Sequence, residues 1–332
     1  MITHTNEGHC DIRRKSVLGL MLSGLSAFAA PSWAQSKWPD RLIRIVVPFV
    51  PGGPPDAVAR IIQAKLSETL GQAVVIDNKG GAGGNIGAQT VAKSLPDGNT
   101  ILITSTAFAI NTQFVESGYN AESDFLAVTI AATQPHVFVT HPSLPVRNLK
   151  ELISLAKTSP LAFATPGSGT APHLTGERLF NLTLKLDMTP IHYRGAGQAV
   201  GSVVAGEPKI GCMAMAGPLQ NIKAGRLRAL AVTSPQRLPS LPDVPTLGEL
   251  GYQNFLDSTW VGAFLPAGTP APIQSKWYEA LSKVLAMPEI REKIQAQAFE
   301  SLTETPTKTA EYLHEEIQRW GEVTRRIGYK PE

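Results

Sequence analysis

The sequence is poor in cysteine. Two occur in 332 residues, Cys10 and Cys212. Cys10 falls in a stretch that reads as an export leader, so the mature chain keeps one thiol and cannot form an internal disulfide. Cys212 lies in "KIGCMAM" (209–215), which reads as a buried strand. A thiol there acts as a small apolar side chain, not a nucleophile. Long Lys/Arg runs are missing, the formal charge is only +3, and the 7% aromatic residues are dispersed. That combination argues against a nucleic-acid partner. Nucleotide loops are missing too. No G-x-x-x-x-G-K-[ST] occurs, "GAGGNIG" (81–87) lacks the dinucleotide spacing, and Asp97 sits in a Pro-Asp-Gly turn instead of at a strand end. His136 and His141 stand isolated, with no H-E-x-x-H and no Cys/His cluster, so no metal and no cofactor are expected.

Hydrolytic machinery is equally incomplete. Ser168 lies between Gly167 and Gly169 but lacks the G-x-S-x-G spacing of a nucleophile elbow. His173 follows five residues later, and no acid is evident to orient it as a base. The sequence therefore expects His173 to cap, pack or touch a ligand, not to abstract a proton.

What the chain does have begins with a leader. Arg13-Arg14-Lys15 precedes "SVLGLMLSGLSAFAA" (16–30), and small residues follow at Ser32 and Ala34. This is a basic, apolar, small-residue order, with cleavage expected after Ala34. The apolar run is shorter than the ~20 residues a bilayer span needs. Residues 1–34 thus read as a signal peptide and the mature protein as periplasmic. The Arg13-Arg14 pair matches a twin-arginine signal only in part, so either export route remains open.

Beyond the leader, short apolar strands alternate with amphipathic helices, which predicts an α/β fold with parallel sheets. Strands are expected at 43–47, 73–76, 100–104, 137–140, 161–165, 189–193, 209–215 and 227–233. Helices are expected at 56–70, 88–95, 149–157, 171–183 and 198–206. A proline-rich passage (239–252) interrupts the pattern. A return strand near Trp260 and a helical tail (272–327), punctuated by Pro288 and Pro306, complete it. The length predicts two domains.

Four glycine-rich loops follow predicted strands: "PFVPGGPPD", "NKGGAGGNIG", "ATPGSGTAPH" and "YRGAGQ". Ligands of open α/β sheets bind at strand C-terminal ends, where helix starts offer unpaired N–H groups to an anion. Two such loops in each presumed domain predict a cleft that grips an anion from both walls. Asp56 is expected to N-cap the first long helix and fix the loop before it. A ligand amine would use the same carboxylate. Arg194 either pairs with a ligand carboxylate or is a plain exposed arginine. Trp260 and Tyr193 are either cleft walls or core.

The stretches "WPDRLIRIVVPFVPGGPPDAVAR" (38–60), "VVIDNKGGAGGNIGAQTVAKSLPDGNTILI" (74–103), "HYRGAGQAVGSVVAGE" (192–207), "LPDVPTLGELGY" (241–252) and "WVGAFLPAGTPAP" (260–272) resemble the extracytoplasmic receptors of tripartite tricarboxylate transporters, the Bug family. The resemblance runs in order over the whole mature chain. It implies a type II periplasmic binding protein, a Venus flytrap of two lobes with a ligand cleft between them. Lobe one would be 38–137 plus 258–332, and lobe two 138–257. It also implies a monomer that is not an enzyme and has no cofactor. The partners would be a small organic carboxylate and the membrane subunits of a tripartite transporter or a sensor. The implied ligand residues are Phe49, Gly52, Gly53, Asp56, Ser105 and Thr106 on one side. Gly167, Ser168, Gly169, Thr170, His173, Tyr193, Gly195, Ala196 and Met213 stand on the other. Lys209 and Met213 occupy positions where the family commonly has acids, and Met213 is expected at a strand end facing the cleft. The leader reading makes a direct prediction. Protein recovered from the periplasmic fraction should begin near Gln35 by N-terminal sequencing; cytoplasmic protein with an intact leader would contradict it.

Overall fold

A computed structural model describes residues 38–114 and 117–330. The leader expectation lies outside these residues. The first element is β1 (Ile43–Val47), an almost fully buried apolar strand. After a loop, α1 (Pro54–Leu70) starts on two prolines and stops at Gly71 in the left-handed conformation. β2 (Val74–Asn78) and β3 (Thr100–Ser105) then flank β1, both parallel to it, with Ile43 opposite Val74 and Arg44 opposite Thr100. α2 (Asn85–Ala92) connects them, and the short α3 (Ala107–Asn111) follows β3.

The sheet is mixed, not parallel as the strand–helix alternation predicts. β4 (Phe125–Thr140) is 16 residues long and runs antiparallel to β9 (Ser258–Pro266), which itself runs antiparallel to β3. Only the last four residues of β4 are readable as a strand from the sequence, because its buried apolar run carries Pro135. A proline argues against a central strand since it cannot donate to the ladder. Here Pro135 sits where β4 changes partners. It is the last residue paired with β9, opposite Ser258, and His136 begins the pairing with β7 (Ile210–Ala214). The missing N–H falls at the switch, and the Pro135 carbonyl accepts from Met215 N at 3.0 Å.

The second half of the sheet adds β5 (Leu161–Thr165) and β6 (Met188–His192) in parallel, and β8 (Arg228–Val232) antiparallel to β4. Around it lie α4 (Leu149–Ala156), α5 (Ala171–Glu177), α6 (Ala196–Ala205) and α7 (Leu219–Lys223). The expected 171–183 helix is α5 followed by a wider π-helical turn, Arg178–Thr183. β4 alternates its side chains between two cores, with Phe138 packed among Leu152, Phe163 and Phe180, and Val137 and Val139 beside Ala164 and Val203. A further core fills the first half, with Val46, Leu102, Phe108, Trp260 and Phe264. Trp260 is therefore core.

The tail consists of α8 (Ala271–Leu285), α9 (Pro288–Ala296), a short β10 (Glu300–Ser301) and α10 (Pro306–Ile327). Pro288 and Pro306 each open a helix, as N1 prolines do. α10 reaches across to the second half, where Trp320 and Val323 pack on Ala171 and Leu174 of α5. Beside that contact Asp257, fully buried, accepts from Arg178 (2.7 Å), Arg319 (2.8 Å) and Thr175 (3.0 Å). One carboxylate thus ties α5, the π-helical turn and α10 together. Removing a buried partner leaves the opposite charges uncompensated, at a cost of roughly 3–5 kcal/mol. Both arginines keep partial solvent access, so Asp257→Ala should cost about 3 kcal/mol, the lower end of that range. Urea unfolding checks this; an unchanged midpoint would contradict it.

Candidate ligand cleft

The loops that leave β1, β3, β5 and β6 converge. In the first, Asp56 does not cap α1. The prolines start the helix at Pro54, with Gly53 as N-cap and no side-chain cap bond. Asp56 lies in the first turn, is buried, and reaches back to accept from Gly52 N at 2.9 Å. Its carboxylate also accepts from Arg60 Nε (2.9 Å) and Asn78 Nδ2 (3.0 Å), so protein donors engage both oxygens. Asn78 Nδ2 also donates to the Phe49 carbonyl at 3.1 Å. Burial pushes the Asp56 carboxyl up, but the bonds from Arg60, Gly52 and Asn78 outweigh it and hold the group below the usual range. The charge is thus spent on shaping the loop. Pro54 and Pro55 also lack the N–H groups a helix start normally presents. This helix start is a weaker anion holder than its glycine turn predicts.

The second loop, 79–87, backs onto the first. Asn111 Nδ2 donates to Gly83 O at 3.0 Å, and a Cβ on Gly84 would lie 3.1 Å from the Phe49 ring. Ser105 ends β3. The Thr106 hydroxyl is buried and accepts from Trp260 N (3.0 Å) while donating to Ser258 O (3.3 Å), so it is committed to the start of β9.

From the second half come the 166–170 loop and the 193–197 turn. Thr170 Oγ1 donates to Gly167 O at 2.8 Å. Gly169 has a left-handed φ of +69°, and its N–H donates to His173 Nδ1 at 3.2 Å. A side chain there would strike Asn111 and Tyr329, since a Cβ would lie 2.8 Å from Asn111 Oδ1 and from the Tyr329 hydroxyl. Gly195, at φ +129°, is the N-cap of α6, whose first turn contains no acid and faces open space at Gly197. A Cβ on Gly195 would lie 2.8 Å from Val50 Cγ2 of the first loop. The loops of the two halves therefore meet directly. Ala196 opens α6, and exposed Arg194 stands beside it, its backbone N donating to Gln198 Oε1. Tyr193 is half-buried and donates its hydroxyl to Glu207 O at 3.2 Å.

Two expected roles change. Met213 does not face the cleft: it is 1% exposed and packed with Val137, Val139 and Val203 in an apolar core. Strand alternation turns it inward. Ser168 Oγ meets the Tyr329 hydroxyl at 3.2 Å, not a histidine. His173 keeps its Nδ1 as acceptor, so its proton sits on Nε2. Burial, and then the His192 ring at 4.5 Å, push its pKa down to about 3. Val50, Asn111 and Tyr329 go unpredicted because side-chain type alone gives them no signal. A cavity of about 210 Å³ beside Ser168, His173, Glu177 and Tyr329 is lined by no residue of the first loop or of the 193–197 turn. Through Ser168 it adjoins the 166–170 loop. Among the described residues, no three His, Cys, Asp or Glu side chains are grouped to hold a metal.

Comparison with known proteins agrees with this geometry. Residues 58–329 match the model of the tripartite tricarboxylate transporter family receptor. The chain belongs to that family. It is 36% identical over 323 residues to the protein BugT of Bordetella pertussis, covering 96% of this chain and 98% of that one. Among solved structures, Rpa4515 of R. palustris with adipate has a TM-score of 0.84 at 30% identity, covering 89% of this chain and all of its own. MatC from Rhodopseudomonas palustris with bound malate has a TM-score of 0.79 at 32% identity, covering 86% and 99%. The family receptor's architecture is the type II periplasmic binding protein, two lobes with a ligand cleft between them, and the mixed sheet with β4 shared by both halves is that fold.

The buried histidines set a pH dependence. Burial lowers His136 to about 4, against an upward pull from Asp257. Its ring nitrogens meet Thr175 and Thr259. His173 is lowered too, so the unfolded chain takes up protons below its ordinary pKa of about 6.5 while the folded chain does not. Stability is whole above that pH and falls as pH drops from there toward 4. Between pH 6.5 and 5 the loss should be roughly 2 kcal/mol per histidine. Urea unfolding at both pH values tests this, and His173→Gln should remove about half of the slope.

Proposed function

We propose that this receptor captures a small carboxylate-containing organic molecule between its two lobes in the periplasm and delivers it to the membrane subunits of a tripartite tricarboxylate-type transporter. The observation that carries the reading is the meeting of ligand-type loops from both halves at the ends of their strands, with Val50 against Gly195. Adipate and malate in two relatives support the class of ligand. Lobe one is 38–137 plus 258–332 and lobe two 138–257, a division supported by the partner switch of β4 at Pro135. The ligand's acid group lies between the first loop and the lobe-two loop, near Gly52, Gly53 and Gly169, with Ser105, Ser168, Thr170 and the start of α6 around it. The Gly52 and Gly169 N–H groups are held by Asp56 and His173, which leaves Gly53 and the start of α6 to supply backbone donors. Arg194 supplies the nearby positive charge. The protein acts as a monomer, and the ligand leaves unchanged. Ser168 faces a tyrosine instead of a base, and His173 is too weak a base to accept its proton near neutral pH.

A thermal-shift screen of the mature protein against organic acids tests the reading. A ligand of the folded state alone raises stability by about 2.7 kcal/mol at a hundred times its Kd. Failure of every acid to shift the transition would overturn the proposal, as would a changed mass for the recovered ligand. Gly195→Val should weaken the best acid by about ten-fold, because overpacking at Val50 costs roughly 1–3 kcal/mol. Gly201→Ala, farther along α6 and also facing open space, should bind as wild type.

A further inference from the structure

Gln134 stands at the centre of the junction between the lobes. It lies on β4 one residue before the partner switch, opposite Thr259 of β9, and is fully buried. Its Oε1 accepts from Ala216 N at 2.8 Å, just past the end of β7. That bond fixes the amide's orientation, because a backbone N–H cannot face the amide nitrogen. The nitrogen therefore points away from Ala216, and Nε2 has no partner. A buried donor without an acceptor is costly, so its retention calls for an explanation.

The register says which face Gln134 occupies. Gln134 is opposite Thr259 and Ser105 is opposite Val261. Residues 259 and 261 point to one face of β9, so Gln134 and Ser105 share that face. His136, two residues along β4, shares it as well, and there it meets Thr259 and Thr175 of α5. The face thus lies between the end of β3 and α5, the elements that carry the Ser105–Thr106 and 167–170 loops. Gln134 lies on this face, fully buried, with a donor to spare.

We propose that Gln134 is a specificity-determining ligand contact, its Nε2–H donating to an oxygen acceptor of the organic acid held in the cleft. This rests on the solute-binding reading above and adds a residue to it. A neutral amide on this face accepts a carboxylate, carbonyl or hydroxyl oxygen and disfavours an alkyl group, which would leave the donor buried and unpaired.

Calorimetric titration of adipate, malate, hexanoate and butyrate into wild type, Gln134→Glu and Gln134→Leu provides the test. Gln134→Glu keeps an oxygen for Ala216 N but replaces the donor with a carboxylate. The acid that binds wild type best should bind this variant at least about ten-fold more weakly, with folding unchanged by circular dichroism. Gln134→Leu should weaken the oxygen-rich acids more than hexanoate or butyrate. Equal affinity of wild type and Gln134→Glu would overturn the inference and leave the receptor reading standing. Absence of binding by every acid to wild type would overturn both. Should either variant fail to fold, a structure of wild type with its best acid decides. A ligand oxygen within hydrogen-bond distance of Nε2 supports the assignment, and any other partner there overturns it.

Discussion

The two halves of this receptor are joined through β4, and most of what the cleft can do depends on that strand. Along residues 125–135 nine pair with β9; the last five pair with β7, and four of these also with β8. The strand direction is set once, so the loops at the ends of β1 and β3 and those at the ends of β5, β6 and β7 are turned toward one another. Asp257 adds a second tie next to the junction. Its Oδ1 accepts from both Arg178 and Arg319 of α10. α10 therefore stays attached to α5 through a charge-assisted contact and through Trp320 and Val323 on Leu174. A shared strand with a second tie is the kind of connection about which domains close by a hinge, a few element-terminal residues absorbing the change.

The parts of the site that were legible in the sequence are those governed by backbone geometry. Glycine turns after strands mark where a chain can approach a ligand or another loop closely, and the 167–170 and 193–197 segments lie where that logic places them. Side-chain roles were less legible. Asp56 reads as an N-cap because acids favour that position, but Pro54 and Pro55 start the helix earlier and move the acid inside the first turn. Met213 reads as a cleft residue from its place at a strand end, and the parity of β7 turns it into the core. Pro135 hides most of β4, since the sequence cannot show that its missing N–H falls at a change of partners. Tyr329 and Val50 carry no pattern at all; their roles come from contacts with residues more than a hundred positions away in the chain and appear only after folding.

Asp56 and Asp257 illustrate how buried charge is used here. Each carboxylate is surrounded by donors that come from different elements, and each fixes a loop or a joint. A buried ion pair is a poor source of net stability but a good source of specific geometry when its removal leaves a partner unpaired. Asp56 holds the first loop in one shape through Gly52 and Asn78. The cleft wall is thereby set before a ligand arrives, which lowers the ordering cost of binding.

Contacts that bridge the lobes at the cleft are modest. Val50 touches the 195 position, and Ser168 shares a neutral hydrogen bond with Tyr329. Neither is a buried ion pair like the one at Asp257. Contacts of this kind allow closure without locking it. A ligand can shift the balance only by the difference in its affinity for the two states. A molecule that touched one lobe alone would bind open and closed forms equally and shift nothing. On the proposed function, an organic acid held by the first loop and by the lobe-two loop at once would gain its second set of bonds only on closure, so the contacts that recognise the ligand would also report its presence. On that same proposal, a transporter that docks on the closed form would then read occupancy from shape.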